Sequence, residues 1–278
     1  MVENHSKPWA LILGASSGFG EATAIELSRI GYNVFGVHLD RAATMSNVDR
    51  IISEIRSAGS EAVFYNVNAA DPSKREEVLD DIAKRLAKDP DAHIKVFLHS
   101  LAFGTLKPFI ADDPKDAITQ AQLEMTLDVM ANSLVYWVQG LLQRKLMRRG
   151  GRIFAMTSTG GHTVMPFYGG VSAAKAALES HIRQLAMELG PLGITANAIM
   201  AGVTDTPALR KIPGGLRLLK GAEYKNPHGR PTKPEDVAKA IAILSDDRSY
   251  WISGNVIKVD GGEDIVGFVA HEGPIHID

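Results

Sequence analysis

The chain has 278 residues, 45% of them hydrophobic, so it can bury a sizeable core in one domain, and its formal net charge of -2 gives no electrostatic basis for binding nucleic acid or an anionic membrane. It has no cysteine, which excludes disulfides, thiolate nucleophiles and Cys-ligated zinc and fits a reducing compartment. The opening MVENHSKPW lacks a hydrophobic signal core and no apolar run approaches membrane-spanning length. A cytoplasmic protein acting on small molecules, without a membrane or nucleic-acid partner, is the expectation. The histidines show no metal spacing, so no metal site is predicted, and His271 and His276 read as part of a polar tail.

Seven apolar runs read as strands: WALILG (9–14), YNVFGV (32–37), EAVFYNV (61–67), IKVFLH (94–99), GRIFAM (151–156), ITANAIM (194–200) and NVIKVD (255–260). Six helical stretches fall between them. The runs are nearly continuous in apolarity, the pattern of strands buried on both faces, as a parallel sheet is when crossover helices cover it. The prediction is an α/β chain: a single doubly wound Rossmann domain over residues 1–278 with a seven-stranded parallel sheet.

After the first strand, LILGASSGFGEATAIELSRIG passes through a glycine-rich turn into a helix. There Gly14, Ser16, Ser17, Gly18, Phe19 and Gly20 would let a pyrophosphate approach the backbone and the free N–H groups of a helix N-terminus. Tight packing alone would also place glycines there. The second strand leads into Asp40 and Arg41. Asp40 suits the adenosine ribose of NAD(H), and Arg41 suits the 2′-phosphate of NADP(H). The two pull in opposite directions, with NADP(H) slightly preferred.

The basic run QRKLMRRGG (143–151) closes a helix, where cations complement the dipole. Beyond Tyr168, the positions Val171, Ala174, Leu178, Ile182, Leu185 and Leu189 form an apolar stripe that the sheet needs. Residues 206–231, rich in glycine, proline and basic side chains, are the least regular stretch. They read as a surface loop serving as a lid over the substrate.

Taken together, the glycine loop, Asn132 in LDVMANSLVYW, Ser158 in AMTSTGG, Lys175, AGVTDT and ISGNVIKVDGG resemble the short-chain dehydrogenases/reductases over nearly the whole chain. One position departs. Ordinary members carry Tyr-x-x-x-Lys, but Val171 stands where that tyrosine would be, and the nearest tyrosine is Tyr168, seven residues before Lys175. That spacing, together with HSLAFG (99–104), resembles the enoyl-acyl-carrier-protein reductases, in the subset that keeps the serine and the asparagine.

The resemblance implies catalytic roles for Tyr168, Lys175, Ser158 and Asn132. It also implies cofactor contacts from Ser100, Leu101 and Ala102, from Lys175, and from Gly202, Val203, Thr204 and Thr206. Asn66 and Val67 would mark the adenine, and His99 would be structural or touch the cofactor. An acyl thioester, on acyl-carrier protein or coenzyme A, is the implied substrate, and a homotetramer the implied assembly.

The displaced tyrosine has a chemical reason. In enoyl reduction the hydride goes to Cβ, while negative charge develops on the remote thioester oxygen. Seven residues of helix rise about 10.5 Å, and Gly169 and Gly170 allow the helix to begin late and leave Tyr168 on its entry loop. The alternatives are a carbonyl or 3-oxoacyl reductase with a moved tyrosine, and a cofactor-binding regulatory protein whose chemistry has lapsed.

Overall fold

A computed structural model describes residues 6–267. Seven strands form one sheet: β1 (Trp9–Leu13), β2 (Asn33–His38), β3 (Ala62–Asn66), β4 (Ile94–His99), β5 (Arg152–Thr157), β6 (Thr195–Ala201) and β7 (Val256–Val259). The order is β3-β2-β1-β4-β5-β6-β7 and every pairing is parallel. This is the predicted doubly wound Rossmann sheet, with strand ends shifted by a residue or two. His271 and His276 lie outside the described residues.

The helices are α1 (Gly18–Arg29), α2 (Met45–Ser57), α3 (Pro72–Leu86), α4 (Gln120–Leu127), α5 (Ser133–Gln143), α6 (Gly169–Leu189), α7 (Pro207–Lys211), α8 (Gly215–Lys225) and α9 (Pro234–Leu244). No helix among the described residues is long and apolar enough to cross a membrane.

Strand alternation divides the core in two. Leu11, Leu13, Phe35, Phe97 and Ile153 pack with Leu79, Trp137, Leu178 and Ile182 from α3, α5 and α6. Ala10, Ile12, Val34, Leu98 and Phe154 turn the other way, onto Leu27, Ile51, Ile55 and Ile241 from α1, α2 and α9. Successive side chains point to opposite faces, so two covered faces demand apolar residues at every position. The stripe on α6 is spent here: all six of its residues are buried, mostly against the sheet.

Residues 206–231 are not the irregular loop expected. Thr206 caps α7 by accepting from the Leu209 N–H at 3.2 Å, and Pro207 occupies the first turn, where its missing N–H costs nothing. Gly214, at φ +80°, ends that turn and admits α8. The glycines and prolines punctuate two short helices.

The strand order reverses between β1 and β4, each of which continues outward on its own side. A crevice opens at the C-terminal ends of strands at such a switch point. The glycine loop after β1, the 100–104 segment after β4, the Ser158 turn after β5 and the Gly202–Thr206 segment after β6 all emerge there.

Candidate active site

The glycine loop is a cradle that side chains would fill. A Cβ on Gly20 would lie 2.1 Å from the Gly14 carbonyl oxygen, and one on Gly14 would lie 2.5 Å from that of Ser100. Gly14 and Gly18 have φ of +81° and +54°, which favours glycine. Ser17 occupies the N-cap of α1 without a side-chain capping bond, so the first N–H groups of α1 are not capped by it. This arrangement fits the pyrophosphate of a dinucleotide.

Beside the loop, at the end of β2, Asp40 is tightly held. Its carboxylate meets His38 Nδ1 at 2.9 Å and accepts from the Thr44 hydroxyl at 2.6 Å. Asn66 brackets the same residue, accepting from the Asp40 N–H at 2.9 Å and donating to its carbonyl at 3.0 Å. Val67 donates to the His38 carbonyl at 2.8 Å. Burial pushes the Asp40 pKa up, but hydrogen bonds from Ser16, Thr44 and His38 outweigh it and hold the carboxyl below its usual range. The Asp40 carboxylate is therefore ionised at the end of β2, while Arg41 lies exposed.

Across the switch point a cavity of about 400 Å³ brings together Tyr168, Lys175, Ser158, Phe19, Ser100, Leu101, Ala102 and the predicted residues of the 202–206 segment. Tyr168 is the N-cap residue of α6 and sits outside the regular helix, as the two glycines behind it suggested. Its ring lies on the turn after β5, where a Cβ on Gly160 would be 2.4 Å from Cε1 of the ring. The Ser158 hydroxyl, on the same cavity, accepts from the Gly160 N–H at 3.1 Å. Burial raises the Tyr168 pKa and Ser158 partly offsets this, so at neutral pH the residue is a neutral hydrogen-bond donor.

Pro166 and Phe167 set that position. The Tyr168 N–H donates to the Met165 carbonyl at 3.2 Å, and Phe167 has φ +65°. Proline followed by a left-handed residue is the pattern of a type II turn, in which glycine or asparagine usually takes the second place. A phenylalanine there carries roughly 1–3 kcal/mol of strain.

Lys175 is fully enclosed, donating to the Met156 carbonyl at 2.8 Å. Burial depresses its pKa to about 8 and Glu179 opposes the shift, so the ammonium is charged at neutral pH yet close to titration. Glu179 is itself held by the Thr157 hydroxyl at 2.6 Å. His99 is buried, and its pKa falls to about 3, chiefly through burial and also through the Lys175 charge. It is neutral at any working pH and pairs with the Ser133 hydroxyl at 2.8 Å.

Asn132 ends a π-helical turn, Asp128–Asn132, between α4 and α5. Such turns often mark functional sites. Its side-chain oxygen meets His181 Nε2 of α6 at 3.1 Å, and the residue is not in the cavity wall. Of the four predicted catalytic residues, the structure thus gathers three around one space and puts the fourth behind them.

Val171 fills the position where the nearer tyrosine would stand. It is buried with Met130, Tyr168 and Ala174, and its Cγ2 would be 3.0 Å from a Cβ on Gly104. A phenol at 171 would have to be accommodated where Val171 is now buried. Val171→Tyr is expected to lose about 1–3 kcal/mol of stability by overpacking, read as a lower midpoint in urea unfolding, without gaining 3-oxoacyl reduction.

Sequence reasoning missed part of the wall: Met130, Met165, Ile212, Leu218, Ala222, Lys225 and Glu263 also line the cavity. The apolar members lie on the π turn, on the tyrosine turn and around α7 and α8. A helical reading of 206–231 would have found the last group; nothing in the sequence singled out Glu263. Among the described residues no cluster of His, Asp or Glu could hold a metal ion.

Residues 14–263 match the family described as Enoyl-(Acyl carrier protein) reductase. The chain is 28% identical over 259 residues to the 1-cyclohexenylcarbonyl-CoA reductase of Streptomyces collinus, covering 92% of this chain and 87% of that one. It is 29% identical over 253 residues to a 3-oxoacyl-[acyl-carrier-protein] reductase of Pseudomonas aeruginosa, covering 91% and 96%. The crystal structure of the enoyl-[acyl-carrier-protein] reductase (NADH) of Aquifex aeolicus superposes with a TM-score of 0.78 at 26% identity, over 95% and 99% of the two chains. A cradle for a dinucleotide, a serine–tyrosine–lysine group on one cavity and a match over residues 14–263 lead to one conclusion: the chain belongs to the short-chain dehydrogenase/reductase superfamily, in its enoyl-(acyl carrier protein) reductase family, and is an oxidoreductase by family.

Proposed function

We propose that the protein reduces the trans-2 double bond of an enoyl thioester with a nicotinamide cofactor. One observation carries this reading: the cavity's phenol comes from Tyr168, while the space of the nearer position is packed with Val171 against Gly104. When bound, the reduced cofactor supplies hydride to Cβ. Tyr168 donates to the thioester oxygen as enolate charge grows there, and Ser158 supports the phenol or adds a second hydrogen bond. Lys175 holds the ribose hydroxyls and stabilises a phenolate by its charge. Asn132, tied to His181, braces the π turn behind the site. The apolar residues of α7 and α8 cover the acyl chain as a lid, and the Lys211, Arg217 and Lys220 side chains suit an acidic carrier protein.

A second reading, carbonyl reduction, draws on Ser158 beside the phenol and on the 3-oxoacyl relative. Purified protein supplied with NADH or NADPH and a crotonyl thioester, then a 3-oxoacyl thioester, separates them. Cofactor oxidation with the enoyl substrate is expected; turnover of the 3-oxo substrate alone would move the assignment to the second reading. Nucleotide binding without turnover of either would make the chain a regulatory protein. A homotetramer, expected from the resemblance, is checked by light scattering on the same sample.

Where the sequence slightly prefers NADP(H), we propose NAD(H) from the state of Asp40. The Asp40 carboxylate is ionised and fixed by His38 and Thr44, so it can accept from ribose hydroxyls and repels a 2′-phosphate. Wild type is expected to bind NADH at least ~10-fold more tightly than NADPH, since like charges brought together at a binding surface cost several kcal/mol. Asp40→Asn should narrow that ratio, measured by nucleotide fluorescence titration; an unchanged ratio would exclude Asp40 as its source.

A further inference from the structure

Asn47, in the first turn of α2, is half-buried and takes no part in the reaction described above. Its side-chain oxygen accepts from Arg50 Nε at 3.2 Å and from Nη2 at 2.9 Å. A guanidinium only donates, so this pair fixes the amide and its NH2 must turn the other way. There it meets two acceptors, the Ser16 carbonyl at 2.9 Å and Glu21 Oε2 at 3.0 Å. One amide thus joins α2, the glycine loop and the first turn of α1, with all of its polar atoms engaged.

The contact with Ser16 decides where a neighbouring donor points. The Ser16–Ser17 peptide is trans, so its C=O and N–H lie on opposite sides. With the carbonyl drawn toward α2, the Ser17 N–H points away from α2, and among the described residues it finds no protein acceptor. A loop that takes an anion must offer N–H groups and turn its carbonyls aside, because a carbonyl oxygen repels a phosphate as an N–H attracts it.

Glu21 poses the same problem with a full charge. It stands in the first turn of α1, where a carboxylate competes with a bound anion for the positive end of the helix. Asn47 takes one of its oxygens and Arg50 the other, and Arg50 also pairs with Glu54 further along α2. Both oxygens of Glu21 are thereby held on the α2 side.

We propose that Asn47 is a positioning residue for the cofactor pyrophosphate: by holding the Ser16 carbonyl and the Glu21 carboxylate on the side of α2, it leaves the Ser17 N–H free to donate to a phosphate oxygen. This rests on the dinucleotide part of the reading above and not on the enoyl substrate. Asn47 acts through the loop.

The test compares three ligands without acyl substrate. The dissociation constant of NADH is read by its fluorescence, and those of ADP-ribose and adenosine by displacement of NADH. NADH and ADP-ribose carry the pyrophosphate; adenosine carries only the part assigned to Asp40. Asn47→Asp keeps the size and an acceptor for Arg50 but offers no donor to Ser16, and Asn47→Ala removes the amide altogether. Each variant is expected to weaken NADH and ADP-ribose by roughly tenfold, the scale of a hydrogen bond to a charged group, with adenosine nearly unchanged. Wild-type affinity for NADH in either variant, or an equal loss for adenosine, would overturn the proposal while leaving the cofactor and substrate readings intact. Failure of wild type to bind NADH would remove the cofactor reading and this proposal together.

Discussion

Tyr168→Phe is expected to lower kcat for enoyl thioester reduction by ~10² or more, with the affinity for NADH nearly unchanged. The ring would remain on Gly160 and the turn from Met165 would persist, because only the hydroxyl is removed. In the proposed mechanism the neutral phenol, buried on the cavity wall, is the donor that meets charge as it appears on the thioester oxygen. The loss should therefore fall on kcat, since the interaction is made in the transition state. Stopped-flow measurement of the first turnover isolates the step. A variant with wild-type kcat would remove Tyr168 from the mechanism.

Lys175→Met should be more damaging, because one substitution removes two roles. In the proposed mechanism Lys175 holds the ribose hydroxyls and supports the phenol by its charge, so without the ammonium both nucleotide affinity and kcat should fall, the latter by ~10² or more. The pH profile gives an independent check. Lys175 is a cation below its pKa of about 8 and neutral above it, so wild-type activity should decline as pH rises through that value. In Lys175→Met the decline near pH 8 should vanish from the residual rate. Its persistence would assign the titration to another group.

The sheet was legible because burial on both faces imposes a pattern that composition cannot hide. WALILG shows it well: Leu11 and Leu13 go to one core, Ala10 and Ile12 to the other, so no polar residue interrupts the run. The glycine loop was legible for a different reason, since positive φ and close backbone approach restrict the residue type itself. Residues 206–231 were read as irregular because two helices of five and eleven residues, separated by Pro213 and Gly214, give too short a stretch for helical periodicity to stand out.

Partners distant in sequence were the least accessible. Asn132 was singled out, yet its contact with His181 spans 49 positions and has no local signature. Glu263 is harder still: an acidic residue beside two glycines near a C-terminus reads as solvated surface, and only the fold brings it 60 positions back to Val203. Asp40 and Arg41 were both visible, but adjacency in sequence did not say which would be held in place; the hydrogen bonds of Asp40 to His38 and Thr44 do.

The close packing of Val171 against Gly104 bears on how such a chain changes its chemistry. A larger side chain at 171 would press on the segment after β4 that carries Leu101 and Ala102 to the cavity wall. On the proposed reading, the choice between striking a carbonyl and striking a conjugated double bond is stored in how two segments fit together. Descent from one kind of reductase to the other would have to pass through coordinated replacements on both.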